Sequence, residues 1–359
     1  MFAMPFDDRT FPSAEAAGFR RNRRRVAIWL FVVAYLIWGM VLLGGATRLT
    51  GSGLSIMEWA PLSGALPPFS QHEWLRLFAE YKTIPQYSLL HPGMGLDGFK
   101  SIFWLEWTHR AWGRLLGVAF LLPLAWFVVT GAIERRLVPR LAGLFGLLCL
   151  QGFMGWFMVS SGFFPDSTAV SPYRLVIHLT LALTLFAAIL WTALGTADPV
   201  PLSIPGAFRV RRLCQFSVVM VALTIIAGGF TAGLHAGLEY NTFPLMDGRV
   251  FPAGYGDLHP SLLNLTENPI AVQFDHRVMA MLTAITVLTA VWAGWRAGLP
   301  RRARWAVLAM GAAVLVQFSL GVATLLSVVD VPIAVAHQAT AVLLLAAALV
   351  ATHTLRGAK

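Results

Sequence analysis

Two five-residue stretches of this chain hold the side chains best suited to chemistry: EWTHR, Glu106 to Arg110, and QFDHR, Gln273 to Arg277. Each sets a His-Arg pair at the head of an apolar run. Imidazole ligates metals and carries protons near neutral pH, and arginine grips carboxylates through paired hydrogen bonds. The stretches differ at their first residue. Glu106 lies three residues before His109, on the same helix face and one turn closer to the start, whereas the matching position holds the amide Gln273. A carboxylate can accept a proton or stabilise developing positive charge; an amide can only hydrogen-bond. The i, i+4 spacing of Glu106 and Arg110 also allows a plain ion pair, although such a pair leaves unexplained why the second half keeps the arginine and drops the acid.

Nine histidines occur in the chain. His109, His178, His276 and His337 each sit near the start of an apolar stretch, while His72, His91, His235 and His259 fall between stretches and His353 ends the last one. A lone histidine in an apolar helix reads most simply as a hydrogen-bond partner of its neighbour. Four at matching positions point further. Opposed imidazoles from two helices can hold one metal centre, and no carboxylate or thiolate cluster accompanies them to make a zinc or di-iron site. Heme with two axial histidines fits this donor set. Its propionates call for basic partners, and Arg48, Arg110, Arg114, Arg174 and Arg277 are the candidates. The same side chains are also suited to snorkelling towards lipid head groups. Gly113 and Ala280, each four residues after a candidate ligand, leave the helix face bare for a flat macrocycle or serve ordinary helix packing.

The elements that must position these residues are membrane helices. The 359 residues are 57% hydrophobic and 12% charged, with a mean hydropathy of +0.68, a balance foreign to a water-soluble globule. Eight apolar stretches, near 26–46, 107–130, 140–160, 174–195, 213–232, 272–294, 305–327 and 332–352, approach or exceed the roughly 20 residues that cross a bilayer. Backbone amides in lipid must bond internally, so all eight are expected to be helices. The net charge of +10 does not imply nucleic acid, because 18 of the 27 Lys and Arg lie in the five segments that share one face if the spans alternate. The positive-inside rule then puts both termini in the cytoplasm and the four histidines towards the outer side. The first span runs on into GGATRLTGSG without a cleavage site, and so reads as a retained helix. The two cysteines, Cys149 and Cys214, are not in outer loops, so no loop disulfide or thiolate metal cluster is expected.

The chain also repeats itself. GGATRLTGSGL from Gly44 aligns with GGFTAGLHAGL from Gly228 at an offset of 184, EWTHR with QFDHR at 167, LQGFMG from Leu150 with VQFSLG from Val316 at 166, and His178 with His337 at 159. The expected fold is thus an all-α integral membrane protein whose eight transmembrane helices form two tandem pseudo-symmetric four-helix bundles. Residues 1–25 form a cytoplasmic N-terminal segment, 26–196 the first unit, 197–212 a proline-bearing cytoplasmic linker, 213–353 the second unit and 354–359 a cytoplasmic tail. The long outer segments, about 47–105 and 233–270, are expected to fold over the bundle mouths as lids.

Taken together, GGATRLTGSGLSIMEWAP, FKSIFWLEWTHR, RLVIHL, AGLEYNTFPLMDG, ENPIAVQFDHR and AVAHQ resemble the heme A synthase family from about Arg25 to the last span. The lack of paired cysteines in the outer loops suits its proteobacterial and mitochondrial type. The resemblance implies an oxidoreductase of the cell inner membrane that turns the C8 methyl group of heme O into a formyl group, giving heme A for terminal oxidases through successive hydroxylations. By matching motif it implies a substrate heme flanked by His109 and His178 with Glu106 as the catalytic acid residue, and a heme B ligated by His276 and His337 that takes the electrons. It further implies dealings with heme O synthase, with cytochrome oxidase assembly factors and with further copies of itself, and an apolar bundle flank for the farnesyl tail of the substrate.

Two other classes compete. A diheme cytochrome confined to quinol-linked electron transfer would use the same four histidines, but would usually set its hemes at opposite faces of the membrane, whereas both pairs here share the outer side. A transporter would show spans broken by Gly or Pro at mid-membrane, and the breaks here cluster at the outer ends.

Overall fold

The structure, a computed structural model, describes residues 13–60, 63–201 and 203–359, with side chains from residue 18 onward. Residues 1–12 of the expected N-terminal segment lie outside the described residues. The described chain is helical without a strand, and eight helices are long and apolar enough to cross a membrane. They are α1 (Ser13–Leu49), α4 (Leu96–Val129), α5 (Val138–Val159), α6 (Pro172–Ala197), α7 (Phe208–Gly233), α8 (Pro269–Arg296), α9 (Arg301–Leu326) and α10 (Val331–Thr354), with the short α2 (Gln71–Tyr81) and α3 (Pro85–Leu90) between the first two.

Local chemistry sets where the histidine-bearing helices begin. α6, α8 and α10 each carry proline in their first turn, where its missing N–H costs nothing and its fixed φ suits a helix. Asn268 caps α8 by accepting from the N–H groups of Ile270 and Ala271, and Asp330 caps α10 by accepting from Ile333. His178, His276 and His337 follow these starts by six or seven residues, a depth of about 10 Å.

α4 behaves differently. Its span was expected from residue 107, but the helix starts at Leu96, so His109 lies 13 residues in. Asp97, Lys100 and Glu106 lower the hydropathy of those three turns without opposing helix formation. The extra turns have their own task. Phe99, Ile102 and Phe103 form a separate outer core with Leu54, Leu77, Phe78, Tyr81 and Ile84, which seats the first outer segment as a folded cap. α1 is also longer than the expected 26–46: its 37 residues extend about 55 Å, so the RRNRRR run forms helical turns below the span.

Helix packing follows the repeat. α1 packs on α4 and α6, and α5 on α6 and α4; α7 packs likewise on α8 and α10, and α9 on α10 and α8. α1 meets α10, and α6 meets α7 and α10, across the junction. The repeated GG doublets explain both sets of contacts. A Cβ on Gly44 or Gly228 would meet the ring of His109 or His276 at 3.2 or 2.9 Å. A Cβ on Gly45 would lie 2.5 Å from Gln338 on α10, and one on Gly229 would lie 3.1 Å from Val176 and Leu179 on α6. The first glycine of each doublet therefore admits a histidine, and the second admits a helix across the junction.

At the opposite end the chain terminus is not a free tail. Gly206 N–H donates to the Lys359 carbonyl at 3.1 Å, and Asp198, just past α6, pairs with Arg302 at 2.8 Å while its carbonyl accepts from Arg356. The linker is thereby stitched to the last residues. With the histidines at one end and this basic end at the other, reporter fusions at residues 135 and 300 are expected to read cytoplasmic, and those at 90 and 255 the opposite side. A reversed reading at any one of them would break the shared orientation of the four histidines.

Candidate functional site

One continuous cavity of about 1050 Å³ runs between the helices and is lined by His109, His178, His276 and His337. Its size lies at the upper end of the roughly 300–1,000 Å³ of small-molecule sites. The rings pair within units: His109 is in electrostatic reach of His178, and His276 of His337. Each ring lies against a glycine of a neighbouring helix, His109 on Gly44, His178 on Gly155, His276 on Gly228 and His337 on Gly321, with hypothetical Cβ contacts of 2.9–3.2 Å. Any larger residue at those glycines would push the imidazole out of place.

The ring tautomers favour iron in the second unit. His276 Nδ1 lies 3.2 Å from the Thr224 carbonyl, so Nδ1 is the protonated nitrogen and Nε2 is left free to ligate. The Gln317 amide lies 3.1 Å from Nδ1 of His337, and its buried Oε1 has no partner. Turning that amide over would let Oε1 accept from Nδ1–H, again freeing Nε2. Two neutral imidazoles, a glycine-cleared face beside each and an apolar cavity are a donor set and a space that suit heme B. In the first unit Gln151 sits likewise, 3.1 Å from Nδ1 of His178, but also donates to the His178 carbonyl at 3.0 Å. The glutamines had stood out only as landmarks of the repeat; their contact with histidine was not visible in the sequence.

Glu106 is 2% exposed and wholly engaged. Its Oε2 accepts from Ser55 Oγ at 2.7 Å and from the Ile56 N–H at 2.9 Å, and its Oε1 accepts from Arg110 Nη2 at 2.7 Å and Nε at 3.1 Å. Arg110 in turn donates to the carbonyls of Ile56 at 2.6 Å and Glu58 at 2.8 Å. The second unit builds the same latch from matching parts: Arg277 donates to the carbonyls of Tyr240 and Thr242, both at 2.8 Å, and Gln273 Nε2 donates to the Tyr240 carbonyl at 3.0 Å. Tyr240 and Thr242 are Ile56 and Glu58 displaced by the 184-residue repeat. The difference between acid and amide thus has a local cause. The first lid presents N–H and O–H donors, which need an acceptor, and the second presents a carbonyl, which needs a donor.

The candidate arginines divide by task. Arg110 and Arg277 hold lids, and Arg114 donates to the Ala60 carbonyl at 2.9 Å; all three also line the cavity. Arg48 lines it too, within electrostatic reach of His235, and has no acceptor among the described residues. Arg174 stands apart. It donates to the Phe157 carbonyl at 2.7 Å, lies 3.9 Å over the Phe157 ring and lines a separate outer cavity with Tyr173 and Glu267. Of the outer-loop histidines, His235 reaches the main cavity, His91 bonds Tyr81 at 2.6 Å, and His72 and His259 are exposed.

Eight membrane helices around one cavity lined by two pairs of imidazoles define a polytopic membrane protein built around internal histidine pairs. Comparison with known families matches residues 27–349 to COX15-CtaA, described as cytochrome oxidase assembly protein. The heme A synthase of Granulibacter bethesdensis is 61% identical over 94% of this chain and 89% of its own length. That of Rhodospirillum centenum is 48% identical over 95% and 92%, and heme A synthase 2 of Acidiphilium cryptum 49% identical over 97% and 96%. The chain belongs to the heme A synthase family.

Proposed function

We propose that this protein is an inner-membrane oxidoreductase that converts the C8 methyl group of heme O into the formyl group of heme A. His109 and His178 would hold the substrate, and His276 and His337 would hold heme B. The observation that carries this reading is the one cavity reaching both imidazole pairs: a heme being oxidised and a heme taking its electrons would share one continuous space without crossing the membrane. Heme B supplies the electron-accepting chemistry. The protein's own residues do the rest. Glycines 44, 155, 228 and 321 admit the ligating rings, and Thr224 holds Nδ1–H of His276. Glu106 places a carboxylate on the cavity wall one turn from His109, where it can stabilise positive charge developing at the substrate. Arg48, with no acceptor among the described residues, is the arginine best placed for a propionate. Arg110, Arg114, Arg174 and Arg277 each donate to a carbonyl as lid or helix-end anchors, and the three of them that line the cavity, Arg110, Arg114 and Arg277, can share that role with a propionate.

The test is extraction of the hemes from purified full-length protein made in cells that supply heme O. Heme B together with heme O, a hydroxylated intermediate or heme A is the expected content, with heme A appearing only when the protein is active. Heme B alone, with heme O unchanged in the membrane, would instead describe an electron-transfer cytochrome and overturn the reading. A heme O synthase is the natural supplier of the substrate, and oxidase assembly factors the natural recipients of the product.

A further inference from the structure

His235 adopts φ 54°, a left-handed backbone that favours glycine, in the turn that follows α7. At the same place in the first unit, 184 residues earlier, the chain has a glycine: Gly51, at φ 66°. A Cβ on Gly51 would touch the His91 ring at 3.8 Å, so the first lid already has an imidazole beside that turn. The second unit instead carries an imidazole on the turn itself, where it lines the main cavity. Its ring makes no hydrogen bond among the described residues. Residues other than glycine held at positive φ concentrate at ligand clamps and active sites.

Arg48 enters the same cavity from the other unit. It lies four residues beyond Gly44, the glycine that seats His109, and so one turn further out on the same face of α1. Its repeat counterpart is Ala232, which leaves the second unit without a cation at that level of α7. Burial, and then the charge of Arg48, hold the His235 imidazole below its ordinary pKa. The acids on the cavity wall, Glu58 and Glu106, are engaged by Arg76 at 2.8 Å and by Arg110 at 2.7 Å. A guanidinium and an imidazole without hydrogen-bond partners among the described residues thus share the junction of the two units, and neither has an anion.

Resting on the assignment of the substrate to His109 and His178, we propose that Arg48 and His235 together grip one propionate of the substrate heme, so that the second unit completes the substrate site of the first. The chemistry gives the grip a purpose. The reacting C8 methyl group shares a pyrrole ring with one of the two propionates, so a carboxylate fixed at the junction fixes which edge of the macrocycle turns towards Glu106. Arg48 supplies a permanent charge and paired donors. His235 adds a ring N–H from the opposite unit.

The test is a titration of the full-length protein, made in cells that lack heme O and so carrying heme B alone, with heme O and with its dimethyl ester. His235→Gly and Arg48→Gln are each expected to raise the Kd for heme O about tenfold, the usual cost of losing a hydrogen bond to a charged group, with heme B content unchanged. The thermal midpoint of His235→Gly should be no lower than that of the wild type, because glycine relieves the positive φ; a residue kept only for the fold would not combine intact stability with lost heme O affinity. For the dimethyl ester, whose propionates carry no charge, wild type and His235→Gly are expected to bind alike. An unchanged heme O Kd in His235→Gly, or a preference of wild type over His235→Gly that persists with the ester, would overturn the proposal. So would loss of heme B with heme O binding intact, which would assign the pair to the other site. If His235→Gly melts early and loses heme B, His235→Asn, which also tolerates positive φ, repeats the titration with the same outcomes. Failure of the underlying assignment looks different: wild type would take up no heme O, or His109→Ala would bind it as tightly as wild type.

Discussion

Purified His276→Ala protein is expected to lack its low-spin heme B, and His337→Ala to behave the same. Loss of a partner that only orients a ligand weakens a metal site about 10–100-fold; loss of the ligand itself should exceed that. The surroundings make compensation difficult. The residues packed on the two rings, Gly228 on His276 and Gly321 on His337, each with a hypothetical Cβ distance of 2.9 Å, carry no side chain that could take the vacated position. Gln317 touches His337 from the far side and cannot ligate in its place. Heme B content and the absorption spectrum measure the outcome directly. A six-coordinate spectrum with wild-type heme B in His276→Ala would withdraw the ligand assignment.

The second large effect is expected at Glu106. Substitution by Gln keeps the volume but not the contacts, because the Ile56 N–H and the Arg110 guanidinium can only donate, and Ser55 Oγ alone could turn to accept from an amide NH₂. Either orientation sets the NH₂ against the Ile56 N–H or the Arg110 guanidinium. The variant therefore removes a charge and loosens the first lid together, and breaking a buried pair from one side typically costs about 3–5 kcal/mol. Conversion of heme O to heme A is expected to fall on the order of 10²–10³-fold, the range for removing a stabilising group at a developing charge. Arg110→Ala separates the two roles. It releases the lid carbonyls of Ile56 and Glu58 but leaves the carboxylate held by Ser55 and Ile56. If charge is what matters, Arg110→Ala retains clearly more turnover than Glu106→Gln at equal heme content. Equal loss in both would make Glu106 a lid anchor only.

The latch also recasts how acid and amide relate. Moving Gln into the first unit does not make it resemble the second, since the lids differ in what they offer: Ser55 and Ile56 give O–H and N–H, whereas Tyr240 gives a carbonyl. A faithful exchange would have to carry the lid segment with it.

Membrane class, eight helices and the tandem repeat were legible in the chain itself, because hydropathy and residue spacing are local properties that a bilayer turns directly into helices. The four histidines could be singled out on the same basis: each stands near the head of an apolar stretch. The sequence could also mark the GG doublets and Gln151 and Gln317 as repeated, without saying what they touch. Only the tertiary structure decided that. Gly44 and His109, Gly155 and His178, and Gln317 and His337 meet between helices, and Ser55 reaches Glu106 across 51 residues. Arginine roles were undecidable from spacing for the same reason, since whether a guanidinium faces a cavity or a carbonyl depends on where a lid folds back; Arg174 beside Phe157 and Arg48 open to the cavity look alike in the sequence. The start of α4 was misplaced because hydropathy reports lipid contact, and its first three turns instead pack against the folded lid of Leu77, Phe78 and Tyr81.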